Sequence, residues 1–377
     1  MERSRSRRAS LRSAQDRALS LPVIRRVRGG LLVPAGLLGL ALAGKLAAQD
    51  APPGGPGVAV GGRLHLRYAT SPAEGERDDF RVLRARARLD VRPSDLVELR
   101  LQPELARGGV ALEDAYLRLS LSPGFHLSLG QFKRASTSLR LASSADVPIV
   151  DRDGGIEGAG DCPGVGSVCS FSRLAEELSF DGRDTGLRLE GTLGGGISYM
   201  ATLTSGEGID VPDLNDVGSI SGRLAYGIGS MTVGGFAALH DYPSATPEGG
   251  DATAYAHAWG MDIEVGSWRE GFHLLAGLVQ GVNWKAGPGT RFTAVQGLAT
   301  HYLPLGAAGL AGVEPMLRVS WADAGGGTGD GRGTLVTPGL TAYISGRNGL
   351  VTNLDIYSPA GAGPTAWSIK VMTLLYH

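Results

Sequence analysis

The sequence predicts an all-β chain that closes into a transmembrane antiparallel β-barrel of about 16 strands. Three observations predict it. Apolar and polar residues alternate over segment after segment, as in strands whose successive side chains face opposite ways. The connections alternate between short turns and longer polar loops, the pattern of a membrane barrel with short periplasmic turns and longer outer loops. After residue 58 no stretch reaches the ~18 apolar residues of a spanning helix, although 42% of the chain is hydrophobic.

The N-terminal 48 residues read as a signal peptide. They carry ten basic side chains against two acidic ones, and an uncharged run, GGLLVPAGLLGLALAG at 29–44, follows the arginines. That run is short for a spanning helix, which needs ~20 residues, and small residues come after it. Cleavage is expected between about 43 and 48, with Ala47-Ala48 the best-placed site. The body, 49–377, then holds 26 basic and 35 acidic residues, a net of −9. An acidic body excludes an overall basic nucleic-acid binder.

Alternation is clearest in Phe80–Arg92 (FRVLRARARLDVR). There Arg84, Arg86, Arg88, Asp90 and Arg92 share one face and Ala85, Ala87, Leu89 and Val91 the other. A helix would scatter those arginines around its circumference. Arg63, His65 and Arg67 oppose Leu64, Leu66 and Tyr68, and Arg188 and Glu190 oppose Leu187 and Leu189. Such segments place strands near 60–69, 79–92, 95–105, 111–121, 124–133, 183–193, 196–205 and 216–228. Eight more follow near 230–241, 251–268, 271–285, 289–304, 310–323, 332–345, 348–358 and 364–377. The two faces divide without a second set of inward apolar residues, which argues against a sandwich. The 59 glycines, more than twice the usual ~7%, suit many tight turns.

One connection, 134–182, is far longer than the others and is expected to associate with the pore. Cys162 and Cys169 lie within it as CPGVGSVC, and in an exported protein they are expected to form a disulfide. Zinc is not expected, because the two sulfurs lack nearby His or Cys partners. No cofactor is called for, and no G-x-S-x-G, H-E-x-x-H or G-x-x-x-x-G-K-[ST] occurs, so an enzyme is not expected.

Several segments together resemble the phosphate-selective porin O and P family of bacterial outer membranes. They are Phe80–Leu89 (FRVLRARARL), Asp114–Leu117 (DAYL), Gly130–Lys133 (GQFK), Leu139–Arg152 (LRLASSADVPIVDR), Arg183–Leu193 (RDTGLRLEGTL) and Tyr199–Gly208 (YMATLTSGEG). Their order from about residue 60 onward carries the resemblance. The chain departs from it at Arg134 after Lys133, in the Cys-containing insert and in its last residues, Leu375-Tyr376-His377. The resemblance implies an outer-membrane homotrimer in which the long loop enters the pore and basic side chains line an anion path.

A barrel of this girth keeps an aqueous channel whose lining selects solutes. Arg84, Arg86 and Arg88 would stand ~6.6–6.8 Å apart along their strand, a ladder of planar donors suited to phosphate. Arg63, Arg67, Arg100 and Arg118 fall on adjoining polar faces, and Lys133, Arg134, Arg140 and Arg152 flank or belong to the long loop. These eleven are the candidate pore-lining, anion-binding residues. Glu98, Glu104, Asp90, Asp114 and Glu190 are placed to pair with them. The expected function is passive diffusion of small anions, phosphate or polyphosphate among them. A general or carbohydrate diffusion porin and a structural or plugged barrel are the alternatives.

Overall fold

The computed structural model describes residues 56–377 apart from 73–77, 107, 157–158, 161, 214–216, 246–250, 308, 326–330 and 362. The expected signal peptide and its cleavage site lie outside the described residues.

The chain forms a single antiparallel sheet. Its first half contains β1 (Gly57–Thr70), β2 (Asp79–Ser94), β3 (Val97–Glu104), β4 (Ala111–Ser122), β5 (Phe125–Lys133), β6 (Arg183–Leu193), β7 (Ile197–Thr204) and β8 (Ser219–Ile228). The second half contains β9 (Met231–Ala245), β10 (Asp251–Val265), β11 (Phe272–Val282), β12 (Arg291–His301), β13 (Leu303–Ala307), β14 (Leu310–Asp323), β15 (Arg332–Ser345), β16 (Asn348–Pro359) and β17 (Ala366–Tyr376). Both β12 and β13 pair with β14, so they are two pieces of one arm interrupted at Tyr302. The barrel therefore has 16 arms. Closure is made by β1, which pairs with β17 as well as with β2, setting Arg63 opposite Tyr376 and Thr70 opposite Ile369. A closed ladder leaves no open edge, which is what allows strands to stand in hydrocarbon.

Observed strand bounds stay within a few residues of the alternation pattern. β9 runs on to Ala245, past the expected end at 241, while β10 stops at Val265, short of the expected 268, where glycine begins the turn at 266–271. Leu64, Leu129, Leu187, Leu224, Met261, Val319 and Ile369 are exposed on the outside, an apolar belt suited to lipid. Trp259, Trp321 and Trp367 belong to that outer face. Tyr357 does not: it is buried in the lumen, where its hydroxyl accepts a hydrogen bond from Cys169 N at 3.2 Å. Trp268, Trp284 and Tyr302 pack against buried clusters.

The inward face is not polar throughout, which corrects the sequence expectation. From β9 to β14 it carries Phe236, Ala238, Ala256, Ala258, Leu275, Val279, Phe292, Ala294, Leu298, Met316 and Ala322, all buried. They are covered by the long loop 134–182, whose Leu139, Val147, Ile149, Phe171, Leu174, Leu178 and Phe180 complete the same cluster. Phe180 stacks on Phe292 with ring centroids 5.7 Å apart. Two smaller clusters continue the seam: Val150 against Tyr343, Val351 and Met372, and Ile156 and Val168 against Leu335 and Tyr357. The loop is stiffened by α1 (Ser138–Leu141) and α2 (Phe171–Glu177). Ser170 caps α2 by accepting a hydrogen bond from Arg173 N at 3.2 Å. The Cys162 and Cys169 sulfurs are bonded, closing the tip of the loop beside Tyr357.

Phe171 is fully buried at the centre of this seam. Phe171→Ala should weaken loop docking by about 3–5 kcal/mol. Limited proteolysis should then cut within 134–182 while the heat-resistant barrel band persists in SDS gels. Equal protease resistance in the variant would contradict the packing described here.

Candidate functional site

Docking the loop on one half of the wall leaves an opening against the other half. That opening is a cavity of about 1250 Å³ between β1–β6 and the exposed side of the loop. Thirteen Lys and Arg side chains line it against eight Asp and Glu. The lumen is thus locally positive inside an acidic chain.

Ten of the eleven candidates line the cavity: Arg63, Arg84, Arg86, Arg88, Arg100, Arg118, Lys133, Arg134, Arg140 and Arg152. Arg67 does not. It is turned into the loop seam, bonded to Asp151 at 2.9 Å and to Asp79.

Most of the cavity cations are matched by carboxylates. Arg86 reaches Glu104 at 2.6 Å and Glu113 at 2.5 Å, and Arg88 reaches Asp90 at 2.5 Å. The ladder of three equivalent arginines is therefore not present: two of its rungs are neutralised by partners on their own or neighbouring strands. Arg100 is 2.7 Å from Asp90 and Arg118 is 3.0 Å from Glu190. Arg134 donates to the Ser179 and Asp181 carbonyls and lies 3.7 Å from Asp184. Arg140 bridges Asp181 at 2.5 Å and Glu176 at 2.6 Å. Burial alone would lower its pKa, but those two carboxylates hold it above the usual arginine value.

Four candidates have no carboxylate within ion-pair distance among the described residues. Lys133 donates to the carbonyls of Arg140, Leu141 and Ala142 at 3.0–3.1 Å, closing the end of α1. Arg152 donates to two of the same carbonyls, Arg140 at 3.4 Å and Ala142 at 2.7 Å. Its pKa is held down to about 9 by burial, then by the like charges of Arg140 and Arg84, so it stays protonated at neutral pH. Arg84 contacts His65 Nδ1 at 3.3 Å and Met372 Sδ at 3.8 Å. Arg63 stands directly opposite Arg86 on the β1–β2 pair, and its Nε is buried without a hydrogen-bond partner. Carbonyls, an imidazole and a thioether orient Lys133, Arg152 and Arg84 without cancelling their charge.

Further residues belong to the site although the candidate set lacks them. Arg183 pairs with Glu113 at 2.6 Å and Asp114 at 2.7 Å. Arg188 lies over the rings of Tyr116 and Phe132, 5.1 and 4.8 Å from their centroids. Arg188 sits on the polar side of β6 that alternation marks, whereas Arg183, at the start of the strand, has the parity of Leu187 and Leu189 and was not marked.

Three cations behind the loop do a different job. Arg318, fully buried, donates to the Asp151 and Arg152 carbonyls at 3.1 and 2.6 Å and to Asp355 at 2.8 Å. Lys370 bonds Gly155 O and Asp355, both at 2.7 Å, and Asp151 at 3.0 Å. Arg223 holds Ser136 O, Ser138 Oγ and Asp262. A Cβ at Gly234 would collide with the Arg223 guanidinium, so glycine there admits the clamp. No sequence signal marked these three, because glycine and alanine dilute alternation in the later strands.

No family model matches the chain, and no curated protein matches its sequence. Solved structures do match. An anion-selective porin from Comamonas acidovorans superposes with a TM-score of 0.58 at 15% identity, over 85% of this chain and 99% of that one. The barrel is a porin barrel. OmpF of Salmonella typhi, solved with daunomycin, matches at 0.57 and 12% identity over 86% and 98% of the two chains. The outer membrane channel DcaP of Acinetobacter baumannii gives the same four values. At these identities the shared property is the porin fold.

Asp151 joins the loop to two wall cations, which gives the docking a pH dependence. Burial would raise its carboxyl, but Lys370 and Arg67 outweigh burial and hold it below the usual value. A carboxylate depressed in the folded state stabilises fully above its unfolded pKa of ~4 and loses that contribution as pH falls through the lower folded value. Loop protection from protease should be level in this respect from about pH 5 to 8 and fall below about pH 4. Asp151→Asn should lack that acid step.

Proposed function

We propose that this chain is a bacterial outer-membrane porin, exported by its leader, that passes small anions by passive diffusion. The single observation behind this reading is the set Arg63, Arg84, Lys133 and Arg152, four cations on one cavity with no carboxylate within ion-pair distance among the described residues, three of them bonded to neutral groups. A cation already bonded to a carboxylate offers a solute little net field, since the pair largely cancels a few ångströms away. A cation fixed by carbonyls keeps its charge and loses only its mobility. An anion entering the cavity can exchange its water for guanidinium and ammonium donors, moving from one to the next.

Phosphate is the solute class we favour. Its oxygens suit the planar fork of arginine, and Arg84 from the wall and Arg152 from the loop both line the cavity. The reading includes membership of the phosphate-selective porin O and P family, and assembly as a homotrimer. The porin from Comamonas acidovorans, named as anion-selective, supports the general class.

A second reading is a general or carbohydrate diffusion pore. It is favoured by the matched pairs of Arg86, Arg88, Arg100, Arg118 and Arg183, which make a transverse field with little net sign. Planar-bilayer recordings separate the two. Under a KCl gradient the anion pore gives a reversal potential of chloride sign, and added phosphate reduces chloride current. Arg84→Gln together with Arg152→Gln should bring the chloride-to-potassium permeability ratio toward one. Cation selectivity of the unmodified protein would remove the anion reading, and steady conductance blocked by sugars but not by phosphate would favour the second. Absence of conductance would point to a plugged barrel.

A further inference from the structure

Arg84 differs from its neighbour two residues along β2. Arg86 is held by Glu104 and Glu113, whereas Arg84 meets the His65 imidazole and, at the longer distance of 3.8 Å, the Met372 sulfur. Arg84 and His65 lie opposite each other across the β1–β2 pair, immediately before a register shift between His65 and Leu66. We propose that His65 is a positioning residue that fixes Arg84 in the lumen while leaving its charge uncancelled. The inference rests on the anion-pore reading and identifies what sustains one of its four cations.

The hydrogen-bond directions follow from donor chemistry. Guanidinium has N–H donors and no acceptor, so His65 Nδ1, 3.3 Å from Arg84 Nη1, must be the accepting nitrogen. A neutral imidazole accepting at Nδ1 carries its proton on Nε2. Nε2 lies 3.0 Å from the Tyr376 hydroxyl, which accepts that proton's hydrogen bond. The two rings meet edge to face, centroids 5.4 Å apart at 79°. His65 is fully buried, so solute does not reach it. Tyr376 does line the cavity, and its own O–H remains available there as a donor. Through barrel closure Tyr376 also faces Arg63. One histidine thus ties Arg84, Tyr376 and the neighbourhood of Arg63 into a single patch of donors.

A carboxylate at position 65 would orient Arg84 equally well and would cancel it, as Glu104 does for Arg86. Leaving the position without an acceptor would free the guanidinium to swing toward Asp151, whose oxygens are shared by Arg67 and Lys370. A neutral acceptor with a donor on its other side meets both needs. Glutamine offers the same pair of roles, a carbonyl to accept from Arg84 and an amide to donate to Tyr376.

The test uses the full-length barrel in planar bilayers at neutral pH, reading reversal potential in a KCl gradient and the concentration of inorganic phosphate that halves chloride current. His65→Glu should lower the chloride-to-potassium permeability ratio to that of Arg84→Gln, since each removes one net positive charge at one place. His65→Gln should keep both readings at their unmodified values. His65→Ala should keep the sign of selectivity but require several-fold more phosphate for half block. Heat-modifiable migration in SDS reports folding, and if the glutamate variant does not fold, the Gln and Ala pair decides. Equal phosphate block in Gln and Ala variants, or a glutamate variant with unmodified selectivity, would overturn the role of His65. Cation selectivity in the unmodified protein would instead overturn the pore reading on which it rests.

Discussion

The docking of loop 134–182 onto the β9–β17 side of the barrel is the interaction on which the character of the lumen depends. A closed sheet of 16 arms encloses more space than its own inward side chains fill. The inward phenylalanines, leucines and alanines of β9–β14 would face water without the loop, and the loop's own apolar residues would have nothing to bury against. Their mutual burial turns a wide cylinder into an off-centre opening beside β1–β6. The cost of bringing polar backbone into that seam is met by Arg223, Arg318, Lys370 and Asn353, which bond loop carbonyls and amides directly.

This division separates two uses of positive charge. Behind the loop, Arg318 and Lys370 are buried and matched to Asp355, and removing one partner would strand the other charge in a poorly solvated place. In front of it, cations fall into those held by carboxylates and those held by neutral acceptors. The second kind carries the net field of the cavity. The distinction is electrostatic: geometry fixes both kinds equally, while only the nature of the acceptor decides how much charge a passing solute meets.

Much of this was legible along the chain. Alternation in Phe80–Arg92 puts Arg84, Arg86 and Arg88 on one polar face, and all three line the cavity. Strand bounds, turn positions and the identity of the long loop were also readable, since period two and turn residues are local properties. Arg67 was misjudged because its face is right but its partner, Asp151, arrives from the loop 84 residues away. The apolar inner face of the later strands was missed because alanine and glycine at positions such as Ala256, Ala258 and Gly260 look alike on both sides of a strand.

The sequence by itself determined a barrel of about 16 strands, the polar faces of the early arms, and one loop long enough to associate with the pore. Only the tertiary structure decided which surface that loop covers, and which cations keep their charge. Glu104 and Glu113 reach Arg86 from neighbouring strands, His65 reaches Arg84 across a strand pair, and the carbonyls that hold Arg152 belong to a turn of the loop. Facing is set by a residue's neighbours at i and i+2, whereas charge compensation is set by whichever group strand register and loop return bring within a hydrogen bond.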